Sequence, residues 1–169
     1  MGIESQERSD AVLVEAAQGG HLDSFGALYQ RYHNPIVALA YAQLGDRHAA
    51  EDAAQEVFAI ACRELPSLRD RDKFGPWLGG ICRNVTRQMR RQRFRLASLP
   101  AEPADERPCE DDERWEAVRR AVWNLPDAER ELIVMRYFDG FSQARISAVL
   151  DITPSAVNGR LIRAKRKVA

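Results

Sequence analysis

The sequence predicts an all-α protein: two small helical domains, a helical bundle and a helix-turn-helix unit, joined by an acidic flexible linker. Three observations predict it. Apolar residues recur at helical spacing along most of the 169 residues, and no segment alternates with period two over a useful length. Apolar residues make up 45% and charged ones 30%, a globular balance, and no apolar run reaches the roughly eighteen residues of a membrane-spanning helix. Residues 101–113, AEPADERPCEDDE, hold many carboxylates and no large apolar side chain, with Pro100 just before them. Such a stretch is self-repelling and extended. It divides the chain into a first domain over 1–98, a linker over 99–113 and a second domain over 114–169. A tether of this kind leaves the two domains without a fixed spacing in the free protein.

In the first domain, Ser9 or Asp10 caps a short helix that stops at Gly19-Gly20. A second helix starts near Asp23 and lines up Phe25, Leu28, Tyr29 and Tyr32. Pro35 kinks or breaks it, and Ile36, Leu39 and Ala40 resume the stripe toward Gly45. Asp46 caps the third, whose stripe is Ala50, Ala53, Ala54, Val57, Phe58, Ala61, Cys62 and Leu65. The fourth opens at Gly75-Pro76 and buries Phe74, Trp77, Leu78, Ile81, Cys82, Val85 and Met89.

The second domain reads as a helix from about Glu110 to Trp123, another to Phe138, and a break at Asp139-Gly140. Two short helices follow, 143–150 and 154–167, separated by Asp151, Ile152 and Thr153. Helix, three-residue turn, helix is the geometry that lays a second helix in a DNA major groove while the first braces it. Ser142 and Thr153-Pro154 are start signals, and Asp151 tolerates the left-handed conformation the turn wants. Ile146, Val149, Leu150, Val157, Leu161 and Ala164 point inward. Asn158, Gly159, Arg160, Ile162, Arg163, Lys165, Arg166 and Lys167 point outward, a surface suited to phosphates and base edges. The bland reading is a helical hairpin with a solvated basic face.

Net charge is zero, but the charges are zoned. Residues 66–100 carry 2 acidic and 9 basic side chains, 101–116 carry 8 and 2, and 140–169 carry 1 and 6. Two basic blocks on either side of an acidic spacer suggest two contacts with a polyanion. Arg83, Arg87, Arg90 and Arg91 spiral along the fourth helix with Asn84 and Gln88 between them, and no carboxylate interrupts the run to Arg95. An ordinary solvated face would mix signs. On the third helix, Glu51, Asp52, Gln55 and Glu56 form an acidic patch opposite the apolar stripe. Pattern alone favours solvent-facing charge near a helix amino terminus; a protein-docking patch is the other reading.

Catalysis is not expected. His21, His33 and His48 are scattered, no set of metal ligands or glycine-rich phosphate loop is present, and no nucleophile stands in a recognisable motif. No cofactor or metal is expected. The amino terminus has no apolar stretch behind a basic start, and the three cysteines (Cys62, Cys82, Cys109) form no CxxC pair. A reducing cytoplasm fits best.

The segments AEDAAQEVF (50–58), FGPWLGGICRNVTRQMRR (74–91), LPDAERELIVMRYFDGFSQARISAVL (125–150) and TPSAVNGRLIRAKRK (153–167) together resemble the extracytoplasmic-function (ECF) group of bacterial RNA polymerase sigma factors. The resemblance covers both domains in the right order. It implies that the first domain is sigma region 2, with Asp52, Gln55, Glu56 and Phe58 docking on the clamp helices of the polymerase's largest subunit. The loop 66–73 and the fourth helix, with Arg83, Asn84, Arg87, Gln88, Arg90 and Arg91, would bind and open the minus-ten promoter element. The second domain would be region 4, meeting the polymerase flap and reading the minus-thirty-five element through Ser155, Asn158, Gly159, Arg160, Ile162, Arg163, Lys165 and Arg166. Implied partners are core RNA polymerase, promoter DNA and an anti-sigma factor or other regulator, with no membrane.

The chain departs from the family's pattern in two places. Gly79-Gly80 stands where bulky or basic residues are usual, and Asn158-Gly159 replaces a basic residue followed by serine. Gly159 offers no side chain to a base. The rival reading is a regulator that binds an operator without polymerase, which accounts for 140–167 but leaves the Asp52–Phe58 motif and the linker without a role.

Overall fold

A computed structural model describes residues 8–97 and 113–168. The described residues are helical, with no strand among them. The first domain contains α1 (Asp10–Gln18), α2 (Leu22–Leu44), α3 (Arg47–Glu64) and α4 (Phe74–Ala97). Short 3-10 turns over Leu65–Ser67 and Arg71–Lys73 carry the chain from α3 to α4. The second contains α5 (Glu113–Trp123), α6 (Asp127–Ile133), a π-helical turn (Val134–Phe138), α7 (Gln143–Leu150) and α8 (Pro154–Val168). The linker reading falls on residues outside the described ones, except Glu113, which opens α5.

The helix boundaries follow local chemistry. Ser9 Oγ accepts from the Val12 N–H at the start of α1, and Asp46 Oδ1 accepts from the Ala49 N–H at 3.0 Å to begin α3. Gly45, in the left-handed conformation at φ 68°, ends α2 by donating its N–H to the Tyr41 carbonyl at 2.8 Å.

Two elements differ from expectation. Pro35 does not break the second helix: α2 runs through it. A mid-helix proline costs about 3 kcal/mol. Here it is itself buried, as are Tyr32, Ile36, Val37, Leu39 and Ala40 of the same helix, and that tertiary burial outweighs the local cost. The helix expected to end at Phe138 is α-helical only to Ile133 and then widens into the π turn. Leu132, Ile133, Val134 and Met135 are all buried, and four consecutive inward residues are more than one face of a 3.6-residue helix presents.

The two domains pack against one another, a point that the sequence leaves open. One continuous core takes in Leu39 and Phe74 of the first domain and Leu132, Met135 and Val149 of the second. α6 and the π turn lie against α2, and α7 lies against α4. Trp123 packs edge-on to Tyr41, and the buried Arg130 donates to the Ala42 carbonyl. Two apolar faces that a short helix-turn-helix unit cannot cover by itself thereby leave water.

Candidate nucleic-acid and partner interface

Three surfaces carry the residues that the sequence singled out. On α3, helical periodicity buries Ala53, Ala54, Val57 and Phe58 and turns Glu51, Asp52, Gln55 and Glu56 to solvent. Among the described residues Asp52 and Glu56 have no ion-pair partner, and Glu51 reaches only Arg47, at 3.7 Å. Phe58 is 4% exposed and packs on Tyr29 with ring centroids 4.6 Å apart. It underpins the acidic face and offers little of its own surface to a partner.

α4 splits its polar residues between two directions. Asn84, Arg87, Gln88 and Arg91 are exposed on one side, and Arg87, Arg90, Arg91, Phe94 and Arg95 line a shallow surface groove toward the carboxyl end. This combination of forked donors and an aromatic ring suits a nucleic-acid backbone and an unstacked base. Arg83 turns the other way. Its guanidinium binds both carboxylate oxygens of Glu131, at 3.2 and 2.9 Å, and that pairing holds it more firmly protonated than an ordinary arginine. Arg90 approaches Asp127 and Gln43, each at 3.4 Å. The arginine run is therefore not one surface: in this arrangement Arg83 is engaged by the second domain and Arg87 and Arg91 face solvent. Cys82, beneath the run, is fully buried, and burial pushes its thiol up to about 12, so it packs as a small apolar residue.

The helix-turn-helix forms as read. Ser142 Oγ accepts from the Arg145 N–H at 3.1 Å and Thr153 Oγ1 from the Ala156 N–H at 3.2 Å, capping α7 and α8. Asp151 adopts the left-handed conformation, φ 55° and ψ 43°, and is the one non-glycine residue with positive φ among those described. Ser147 donates its hydroxyl to the Ile152 carbonyl and ties the turn to α7. Val157, Leu161 and Ala164 face the core, whereas Ser155, Asn158, Gly159, Ile162, Arg163, Lys165 and Arg166 are exposed and Arg160 is half-exposed. Lys165 sits 4.7 Å from the centre of the Tyr137 ring, and Lys167 is drawn to Glu129 at 2.7 Å, which aims the helix end. A Cβ at Gly159 would meet no atom within 4 Å.

Sequence reasoning missed the charged pair at the domain contact. Arg130 and Glu131 are 7% and 4% exposed. Arg130 donates to the carbonyls of Ala42, Trp123 and Leu125 and to Asp127; Glu131 accepts from Arg83 and, at 2.7 Å, from Gln43. In sequence they are two charges in a mixed run, DAERE, with no local mark of burial. Among the described residues no histidine, cysteine and carboxylate cluster suits a metal, and no helix is long and apolar enough to cross a membrane.

Comparison with known proteins gives the architecture a family. Residues 28–95, from within α2 to the end of the α4 arginine run, match Sigma-70 region 2, and residues 115–168, spanning the helix-turn-helix, match Sigma-70, region 4. The chain is 30% identical to the ECF RNA polymerase sigma-E factor of Escherichia coli K12, over 97% of this chain and 94% of that protein. The chain belongs to the ECF family of RNA polymerase sigma factors. It is also 32% identical to the ECF RNA polymerase sigma factor BldN of Streptomyces coelicolor, over 93% of this chain but 63% of BldN's length. Among solved structures, CnrH, in complex with the cytosolic domain of CnrY, superposes with a TM-score of 0.61 at 26% identity, covering 95% of each chain. As an ECF sigma factor, the chain carries its acidic α3 face and its arginine helix within region 2, and its outward α8 face within region 4.

Proposed function

We propose that this sigma factor docks on core RNA polymerase through the exposed α3 face and directs promoter-specific transcription initiation. Asp52, Gln55 and Glu56 meet the clamp helices of the largest subunit, with Phe58 seating them from below, and region 4 meets the flap. Asn84, Arg87, Gln88 and Arg91, with Arg83 and Arg90 once released from the second domain, engage the minus-ten element. Ser155, Asn158, Arg160, Ile162, Arg163, Lys165 and Arg166 face the minus-thirty-five element, with Gly159 leaving one reading position empty. The domains follow the boundaries 1–98 and 114–169, with the acidic linker 99–113 threading toward the polymerase cleft. The protein works in the cytoplasm by binding, without catalytic chemistry of its own, and is restrained by an anti-sigma factor or other regulator.

The observation that carries this reading is the coexistence, in one chain, of an exposed acidic α3 face, whose Asp52 and Glu56 have no ion-pair partner among the described residues, with two separate outward basic helices, α4 and α8. A regulator acting alone on an operator needs the last and has no use for the first. The test is promoter-dependent transcription by purified core polymerase with and without the protein. Asp52→Ala with Glu56→Ala should lower affinity for core by about tenfold or more, ~1.4 kcal/mol, with helical content unchanged. Undiminished binding by the double variant would sink the docking assignment.

A further inference from the structure

We infer that Gln18 of α1 is a positioning residue for promoter selection: it holds the loop 66–73, and with it Arg69, in the arrangement that reads the minus-ten element. The inference rests on the promoter-directing role proposed above and on the place in the minus-ten surface that the family resemblance implies for this loop.

Gln18 is the last residue of α1 and lies outside residues 28–95, the part of the chain that matches Sigma-70 region 2. The core sets its position: Leu13 and Val14 are buried, and Gln18 follows Val14 by one turn on the same face. From there its side chain crosses to the segment that joins α3 to α4. The amide nitrogen donates to the Leu65 carbonyl at 3.0 Å and to the Leu68 carbonyl at 2.8 Å, and the amide oxygen accepts from Arg71 Nε at 3.0 Å. Arg71 also donates to Glu15 Oε1, at 2.9 Å, one turn earlier on α1. One half-buried amide thus uses both donors and its acceptor on a single segment, on either side of Arg69.

The loop has little of its own to hold it. Every residue of 66–73 except Leu68 is exposed, and the loop's internal hydrogen bonds reach only two or three residues along the chain. The tie to α1 also sorts the loop's cations. Arg71 is engaged by α1, and Lys73 pairs with Asp151 at 2.8 Å. Arg69 is exposed and has no ion-pair partner among the described residues. It follows directly on the Leu68 carbonyl that Gln18 holds, and Asp70 beyond it caps the next 3-10 turn by accepting from the Asp72 N–H at 3.2 Å.

A forked donor anchored on both flanks meets a phosphate or a base edge with little ordering left to do. Without the tie, that order has to be supplied when DNA binds. If the untied loop holds the reading arrangement about a fifth of the time, engagement of a matched promoter weakens about fivefold. A promoter substituted at minus ten gains nothing from the loop and so loses nothing. The effect of Gln18 is therefore on selection, and it is confined to the minus-ten element.

Transcription by the full chain with core polymerase tests this on three templates: a matched promoter, one substituted at minus ten and one substituted at minus thirty-five. Gln18→Ala should cut the preference for the matched promoter over the minus-ten-substituted one about fivefold, with preference at minus thirty-five and helical content unchanged. Gln18→Glu keeps the size of the side chain and the acceptor for Arg71 but offers the two carbonyls no donor, and it should do the same. In an Arg69→Ala background, Gln18→Ala should narrow the preference no further, because the positioning acts through Arg69. Amide exchange in the free protein should quicken over 66–73 in both Gln18 variants. Equal loss from all three templates, losses that add to those of Arg69→Ala, or an unchanged minus-ten preference in variants whose loop exchange has quickened would each overturn the inference while leaving the promoter-directing role intact. Unchanged loop exchange in both variants would overturn it as well. If the wild type itself shows no preference at minus ten, the promoter-directing role fails and the inference falls with it.

Discussion

Asp46 joins α3 and α4 through one carboxylate. It caps α3 by accepting from the Ala49 N–H and meets Arg93 of α4 at 3.4 Å. The Ala49 hydrogen bond, aided by the Arg93 charge, holds its pKa below the ordinary value of 3.8. A depressed folded pKa means that its stabilisation is present above the unfolded value and is lost as pH falls through the folded one. Asp46→Ala should therefore cost about 1 kcal/mol at pH 7, and the gap to wild type should narrow below about pH 4. Urea unfolding of both proteins at pH 7 and pH 3 measures it. The arginines of α4 look alike in sequence but differ by environment. Arg87 faces solvent with Asn84 beside it, so Asn84→Ala with Arg87→Ala should leave stability within about 0.5 kcal/mol while reducing permanganate reactivity of the minus-ten region in polymerase complexes. Normal promoter opening by that pair would count against the minus-ten assignment.

Neighbouring glycines within α4 and α8 separate helix propensity from packing. Gly80 and Gly159 stand in helices with open space where a side chain would go, so Gly80→Ala and Gly159→Ala should each stabilise by roughly 0.5–1 kcal/mol. Gly79→Ala should yield no such gain, because the new methyl would press on the Val149 carbonyl. Thermal unfolding of the three variants decides it, and equal gains at 79 and 80 would show that Val149 exerts no pressure on α4. α7 and α8 were legible because each begins with a side-chain cap and turns at Asp151, all within a few residues. α2 was less so, since the proline rule is local and the burial that overrides it at Pro35 is not. The π turn was illegible for a related reason: it depends on four consecutive residues finding apolar partners elsewhere in the fold.

In the whole molecule, the proposed function has the two small basic surfaces of α4 and α8 take up promoter spacing only on core polymerase. About half a dozen phosphate contacts bind weakly and without sequence preference at physiological salt, roughly micromolar or poorer. Each good base contact adds about 1–3 kcal/mol, and on the proposed reading α8 forgoes one at Gly159. The free protein should thus show little preference for its own promoter over random duplex, with preference appearing only when core polymerase is present. Fluorescence anisotropy on matched and scrambled duplexes, with and without core, measures this. Tight selective binding by the protein alone would favour an operator-binding regulator.

The sequence by itself determined most of the helices, the caps at Asp46, Ser142 and Thr153, the acidic face of α3 and the outward face of α8. Each is written in spacings of three or four residues, which dictate which side of a helix leaves water. Only the tertiary structure decided that the two domains pack on one another, that Arg83 meets Glu131 rather than solvent, and that the α7 backbone comes close to α4 at Gly75 and Gly79. Those contacts join residues from 48 to more than 70 positions apart. Periodicity states that a face is apolar or that a side chain is charged; it does not state which distant surface will cover the one or neutralise the other.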